Sequence, residues 1–436
     1  MPRLEIRTRE VRPKGSIGVH LVTLEGFIDA ATVSSFDTCL QKHSRSKSPA
    51  IVLDFGGVEY INSSGIGTVI KHHHQAIERG GELVVANVPR DVGLTMHLLG
   101  VTTLVPFLKD AKAALRYFRE PRTGNGNTSG YYDRLLEKKG VKKGEKRVRY
   151  RIPLRRRART GPKTSSVLMV VDRPDAFTDV MRMRLHEPSS GRFSIHTDFS
   201  SAIESLPETA PDLIVVDDRV QGSEDFLSQV KLERGRSLTS VIKLYPRGAD
   251  LDRMKDFKIW ENDFLREPFE VMELFRLCEA EIKRVPADRE VFLHQVRFQF
   301  RSGEENVDRA KALVDDIVRK AGFNGDAALA LRSAFKEAID NAVVHGNHND
   351  PAKSVDVVFV LREDRVTIQV EDEGPGFDYT AVLERLRDKD AFQKAKRRII
   401  EKGKRGGLGI LLIHKCMDQV EFLKSGNIIR MEKTLR

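Results

Sequence analysis

The stretch Phe335-Lys-Glu-Ala-Ile-Asp-Asn-Ala-Val-Val-His-Gly346 sets a carboxylate, Glu337, four residues before a carboxamide, Asn341. In a helix that spacing puts both groups on one face. There the amide oxygen can ligate Mg2+, and the carboxylate can orient or deprotonate an attacking hydroxyl. Two glycine loops follow, Asp372-Glu-Gly-Pro-Gly-Phe377 and Gly406-Gly-Leu-Gly409. Asp372 can accept from an exocyclic amine, and Gly374 and Gly376 let backbone approach a flat ring, so adenine is the expected occupant. The second loop, with Gly407 and Gly409, opens the apolar run Ile410-Leu-Leu-Ile413. Free amides at a helix start favour an anion, here a triphosphate. The P-loop pattern does not occur in the chain, nor does the kinase pairing of His-Arg-Asp with Asp-Phe-Gly, since His-Arg-Asp is absent.

On these residues Phe292 to Arg436 resembles the ATPase domain shared by gyrase, heat-shock and histidine-kinase proteins (the GHKL, or HATPase_c, superfamily). Within it, the segment most resembles the anti-sigma factors that are protein serine kinases. Glu337, Asn341, Asp372, Gly374, Gly376, Gly407 and Gly409 match that family's functional positions, and Ile413 to Phe422 resembles its post-lid helix and next strand. The resemblance implies ATP and Mg2+ as cofactors, Glu337 as the catalytic carboxylate and Asn341 as the Mg2+ ligand. A departure is Asn427 after Gly426, where the kinases often have threonine.

The 436 residues suffice for about three domains of ordinary size. The formal net charge of +11 invites a nucleic-acid reading, but residues 134–163 hold 14 Lys or Arg against 2 Glu, and the rest of the chain sums to −1. That basic run, behind the glycine-rich stretch Pro121 to Gly130, reads as a solvated linker over 119–165. Its few scattered tyrosines argue against base stacking, so direct nucleic-acid binding is not expected. Cys39, Cys278 and Cys416 lack C-x-x-C spacing, which speaks against a disulfide framework or a zinc site. No apolar run approaches the roughly 18 residues of a membrane span, and Met-Pro-Arg-Leu-Glu-Ile lacks a signal-peptide core. A soluble, cytoplasmic protein is the expectation.

Residues 1–118 read as α/β, with strands at Val19–Leu24, Ala50–Phe55 and Gly81–Asn87. In Val58-Glu-Tyr-Ile-Asn-Ser-Ser-Gly-Ile-Gly67 a strand ends and a helix begins at Ser63 or Ser64, both good capping residues. Residues 8–118 are similar to the STAS domain of anti-sigma factor antagonists, through Gly26, Asp29, Asp54, Ser63-Ser64-Gly65 and Gly100 to Phe107. The resemblance implies phosphorylation of the second serine, Ser64. One departure is Asn62, where an aspartate usually precedes the serine pair. Phosphate on Ser64 would add roughly −1.5 to −2 charge and release an acidic partner.

In the block 166–285, Val167–Asp172 and Asp212–Asp217 are continuous apolar strands, each ending in aspartate, the mark of a parallel sheet covered on both faces. The block resembles response-regulator receiver domains of the flavodoxin-like fold, with Asp217 at the phosphoacceptor position and Asp172 at the acidic end of the first strand. It departs at Arg173, at Tyr245 in place of a small hydroxyl residue, and at Glu267 in place of the lysine before proline. An anion where a cation should hold phosphate describes a degenerate receiver, read as a docking module, with phosphorylation of Asp217 as the alternative. His72-His73-His74 point about 100° apart on a helix and cannot share a metal, so they are assigned to a surface or partly buried face. His345 and His348 are read as shaping the turn after Asn341, and the basic residues of 378–405 as a lid.

The organisation expected is three α/β domains: STAS over 1–118, receiver-like over 166–285 and GHKL ATPase sandwich over 286–436. The function that the resemblances imply is a partner-switching regulator, an ATP-dependent serine kinase acting on its own Ser64 or on a separate STAS protein. A sigma factor is a further implied partner, and a homodimer is admitted. The competing expectation is a binding module in which ATP only shapes a sequestering surface.

Overall fold

Val19 to Ile28 alternates buried and less buried residues, whereas the strand from Ala50 begins with four buried residues in succession. These are the patterns of an outer and an inner strand of one sheet. The computed structural model describes residues 4–12, 18–99, 101–119, 166–185, 192–250, 256–380 and 408–435, with 382 and 384. They fall into two units. The first lies within Met1–Val148, Gly325–His348 and Gly374–Asn427, and the second within Arg149–Asn324, Asn349–Glu373 and Ile428–Arg436. The basic run 134–163 and the basic residues of the expected lid, which fall between 385 and 405, lie outside the described residues.

The first unit opens with β1 (Leu4–Val11), β2 (Val19–Ile28), β3 (Ala50–Ile61), β4 (Glu82–Ala86) and β5 (Phe107–Leu108), in the order β1-β2-β3-β4-β5. β1 runs antiparallel to β2, and the remaining pairs are parallel. Its helices are α1 (Val33–Ser44), α2 (Ser63–Glu78), α3 (Arg90–Leu98) and α4 (Ala111–Tyr117). Under α4, one face of the sheet buries Val19, Leu21, Val52, Val84 and Ala86 against Ala114. In α2, His72 and His73 are buried, deeper than the sequence pattern implied, because both rings find hydrogen-bond partners. His72 contacts Ser44 Oγ at 3.0 Å and Asp37 Oδ1 at 2.8 Å, and His73 contacts the Leu83 carbonyl at 2.7 Å.

The second unit holds two sheets. β6 (Ser166–Val170), β7 (Arg192–His196), β8 (Leu213–Asp217), β9 (Ser240–Tyr245) and β11 (Asp263–Arg266) are all parallel, in the order β11-β9-β8-β6-β7. In sequence order that is 2-1-3-4-5, the flavodoxin-like winding, and every residue of β6 and β8 is buried. Its helices are α5 (Ala176–Leu185), α6 (Phe199–Thr209), α7 (Ser223–Leu232) and α8 (Val271–Val291). Leu274 and Cys278 bury one face of α8 in the core of this sheet, and the helix runs on through the expected boundary at 285.

The other sheet is antiparallel, with the order β10 (Phe257–Ile259), β12 (His294–Arg301), β13 (Ser354–Leu361), β14 (Arg365–Asp372), β16 (Ile428–Thr434). α9 (Glu304–Lys320) carries its apolar stripe, Ala310, Val314 and Ile317, at helical spacing. β10 comes from the middle of the receiver-like block yet pairs with β12, so that block contributes a strand to the ATPase-like sheet. Nothing in the three residues of β10 announces this.

Back in the first unit are α10 (Gly325–Asn341), α11 (Leu408–Cys416) and β15 (Gln419–Leu423). α10 is buried almost all round from Ala327 to Asp340, so its acids must find partners inside the protein. No helix among the described residues is long and apolar enough to cross a membrane.

Candidate active site

Asn62 sets the geometry at the start of α2. Its backbone is extended, and its side-chain oxygen accepts the Gly65 N–H at 2.9 Å, so the helix cap is Asn62 rather than either serine. Ser63 is thereby the first helical residue, with both its N–H and its hydroxyl unused by the helix. Both go to one carboxylate. The Ser63 hydroxyl donates to Glu337 Oε1 at 2.6 Å, and the Ser63 N–H donates to Glu337 Oε2 at 3.2 Å. Glu337 is 2% exposed.

Around this pair, α10 and the STAS-like segment meet through complementary groups. The Asn62 amide donates to Asp340 Oδ2 at 3.1 Å, and Arg90 reaches Asp326 at 2.6 Å. Thr95 and Ser333 share a hydrogen bond at 3.3 Å, and the Lys336 ammonium lies 5.2 Å from the centre of the Tyr60 ring. α11 closes the other side. A Cβ on Gly409 would lie 2.1 Å from Glu337 Oε1 and 3.2 Å from Ser63 Oγ, so only glycine leaves the carboxylate its place.

Ser64, the serine singled out from the sequence, is partly exposed, and its carbonyl accepts from the Thr68 hydroxyl at 3.0 Å. The hydroxyl brought to Glu337 is that of Ser63. The signal that could have found it is the helix start: with Asn62 as the cap, the next residue faces outward from the helix end.

Asn341 follows Glu337 by one turn and is half-buried at the end of α10, where a turn of π-helix, Ala342–Gly346, begins. Burial lowers the His345 pKa from its ordinary value, and His348 takes a positive φ of 58° in the turn beyond. The Gly374–Gly376 loop does have a close backbone approach, but to protein: Gly376 has φ 79°, and a Cβ there would lie 2.1 Å from the Ser425 carbonyl oxygen. The Phe377 N–H donates to that same oxygen at 2.9 Å, and Phe377 packs edge-on against Phe422. Asp372, in the second unit, ends β14 opposite Val355. Gly407 lies outside the described residues.

A triphosphate nucleotide with Mg2+ is the group these residues imply. The donor types fit in kind: a carboxamide, Asn341, stands one turn from a buried carboxylate, Glu337. Among the described residues there is no cluster of three or more His, Cys, Asp or Glu that could hold a metal ion. Cys278 and Cys416 are buried and Cys39 is half-buried, all as free thiols.

The receiver-like sheet carries a second acidic site. Asp217 ends β8, its carboxylate accepting the Arg219 N–H at 3.0 Å and the Arg219 guanidinium at 3.3 Å. The same guanidinium pairs with Glu267, whose pKa it lowers. Arg219 therefore spans the two positions between which a phosphoryl group would have to fit. Beside it, Lys243 bonds Asp218 at 2.8 Å and Glu224 at 2.9 Å, and Tyr245 donates to Glu261 at 3.0 Å. Asp172 is largely exposed, next to Arg173.

Two family models match the chain: a histidine kinase-like ATPase domain over residues 300–433 and a STAS domain over residues 10–114. The serine-protein kinase RsbW of Staphylococcus aureus is 30% identical over 134 residues, covering 30% of this chain and 81% of that protein. The anti-sigma F factor of Oceanobacillus iheyensis is 26% identical over 145 residues, covering 33% of this chain and 93% of that protein. Among solved structures, a putative response regulator from Chloroflexus aurantiacus matches at 17% identity and TM-score 0.23, over 28% of this chain and all of its own. An anti-sigma factor antagonist from Mycobacterium paratuberculosis matches at 23% and 0.24, over 27% of this chain and 96% of its own. The chain thus belongs to the family of the serine-protein kinase RsbW, and it joins that family's ATPase domain to a STAS domain.

Proposed function

We propose that this protein is an ATP-dependent serine kinase of a partner-switching pathway, and that its own Ser63 is a substrate. The observation that carries the reading is the 2.6 Å hydrogen bond from the Ser63 hydroxyl to Glu337. When bound, ATP with Mg2+ supplies the phosphoryl group and a counter-charge for it, and ADP leaves with the electron pair of the broken P–O bond. Glu337 takes the Ser63 proton as the serine oxygen forms its bond to phosphorus. By the family resemblance, Asn341 would hold the metal, Asp372 and Gly374 would receive the adenine, and Gly407 and Gly409 would offer backbone to the phosphates.

Phosphate on Ser63 would stand next to two buried carboxylates, Glu337 and Asp340. Like-charge repulsion then releases the loop from α10 and frees that face for another partner. A separate STAS protein and a sigma factor are the partner classes proposed, since relatives are named anti-sigma F factor and serine-protein kinase. Incubation with labelled ATP and Mg2+, followed by peptide mapping, tests the proposal: label on Ser63 is expected, and absence of label on both this chain and added STAS proteins overturns it.

The second reading, a binding module that only sequesters, is favoured by one feature. The STAS-like segment is held along α10 through Asn62, Arg90 and Thr95 as well, which meet Asp340, Asp326 and Ser333, and not by the Ser63–Glu337 contact alone. Nucleotide uptake by calorimetry without any transfer would select it.

A further inference from the structure

We propose that the Asn62–Asp340 hydrogen bond decides which loop α10 accepts, admitting a carboxamide before the acceptor serine and refusing a carboxylate. The proposal rests on the reading of Ser63 as the hydroxyl presented to Glu337, and it adds the feature that selects the substrate.

Asn62 does two jobs with two different atoms. Its oxygen caps α2 by accepting the Gly65 N–H at 2.9 Å, which leaves its NH2 group to donate to Asp340 at 3.1 Å. The cap fixes which end is which, because the backbone N–H can meet only the oxygen. Both side chains are nearly inaccessible, Asn62 at 2% and Asp340 at 4%. An aspartate at position 62 would cap the helix as well as asparagine does. Its second oxygen, however, would face the Asp340 carboxylate across the distance now spanned by a hydrogen bond. Two acceptors facing each other at hydrogen-bond distance in a buried place replace an attraction with a repulsion. A loop with a carboxylate in that place is therefore turned away at the last contact before the serine, while this chain's own loop is drawn in. The pair reserves the kinase helix for amide-bearing loops, its own first among them.

Three forms of the full chain test this: the parent, Asn62→Asp, and Asn62→Asp with Asp340→Asn. Hydrogen exchange at the Ser63 amide reads docking, because that N–H donates to Glu337. Label transfer from ATP to Ser63 reads chemistry. Asn62→Asp is expected to lose amide protection and transfer by about tenfold to a hundredfold, the range for a buried hydrogen bond to a charge replaced by repulsion. The double variant reverses donor and acceptor, and recovery to within about threefold of the parent is expected, as for a coupled pair. Full protection in Asn62→Asp, or no recovery in the double variant, overturns the proposal. A parent chain that never labels Ser63 would instead strike the kinase reading, and amide protection would still judge the pair.

Discussion

The Ser63 hydroxyl and the Ser63 N–H donate to different oxygens of the one Glu337 carboxylate. A single buried acid thus holds the serine at two atoms, and it stands where the proposed transfer needs a base. Glu337→Gln keeps the size and one acceptor but removes the base. It is expected to lower transfer by about a hundredfold to ten-thousandfold, with nucleotide affinity preserved. Ser63→Ala is expected to abolish labelling and Ser64→Ala to retain it, an ordering read directly by peptide mass spectrometry. Label that persists in Ser63→Ala and vanishes in Ser64→Ala reverses the assignment.

Gly409 presses on the same carboxylate from α11. In Gly409→Ala the new methyl must displace Glu337 Oε1, and a displaced base is a misaligned one. Transfer to Ser63 should fall by about tenfold or more. Far-ultraviolet circular dichroism should stay that of the parent, since the affected atom ends a side chain and not a strand. Unchanged kinetics would mean that the carboxylate has room that the geometry denies it.

Arg219 lies across Asp217 and Glu267. Acetyl phosphate with Mg2+ is therefore expected to leave Asp217 unlabelled in the parent chain. Removing the plug and restoring a cation, with Arg219→Ala and Glu267→Lys together, should allow an acid-labile label there. Label on Asp217 in the parent would show that Arg219 swings aside.

His294 supplies a pH dependence. It is buried against Phe359, and burial lowers its pKa from 6.5 to about 4. The imidazole is thus neutral in the folded chain, while the unfolded chain binds a proton below pH 6.5. Stability from this group is fully present above that value and is lost as pH falls toward 4. Between pH 7.5 and 5 the loss is about 2 kcal/mol by linkage, and His294→Phe should remove it. Trp260, the one tryptophan of the chain, donates its backbone N–H to the Arg297 carbonyl in the same unit. Its fluorescence in urea titrations at the two pH values is the measurement, and equal slopes with pH in the parent and the variant would refute the assignment.

Much of this was legible in the chain. Continuous apolar runs gave β6 and β8, and the spacing of Glu337 and Asn341 placed them one turn apart on a single helix. Tyr245 and Glu267 announced an altered receiver. The choice of Ser63 over Ser64 was not legible, because either serine can cap a helix, and only the Asn62 side chain, folded back on Gly65, decides the start. Nor was the Asn62–Asp340 contact, since nothing local connects residues so far apart in sequence. In the sequence, Gly376 reads as a glycine kept for a ligand's ring, whereas its nearest neighbour is the Ser425 carbonyl, a crowding that exists only where two distant turns meet. Arg219 was unremarkable as a letter and became informative once two acids flanked it.

The strand Phe257–Ile259 ties the receiver-like block to β12 by a shared ladder rather than a tether. Cutting the gene between these modules would therefore strip a border from the remaining sheet and leave a row of amides and carbonyls looking for company, an invitation to clumping. Whatever lineage assembled this chain could afterwards trade the module's surface residues freely, but it could not discard the module without mending that seam.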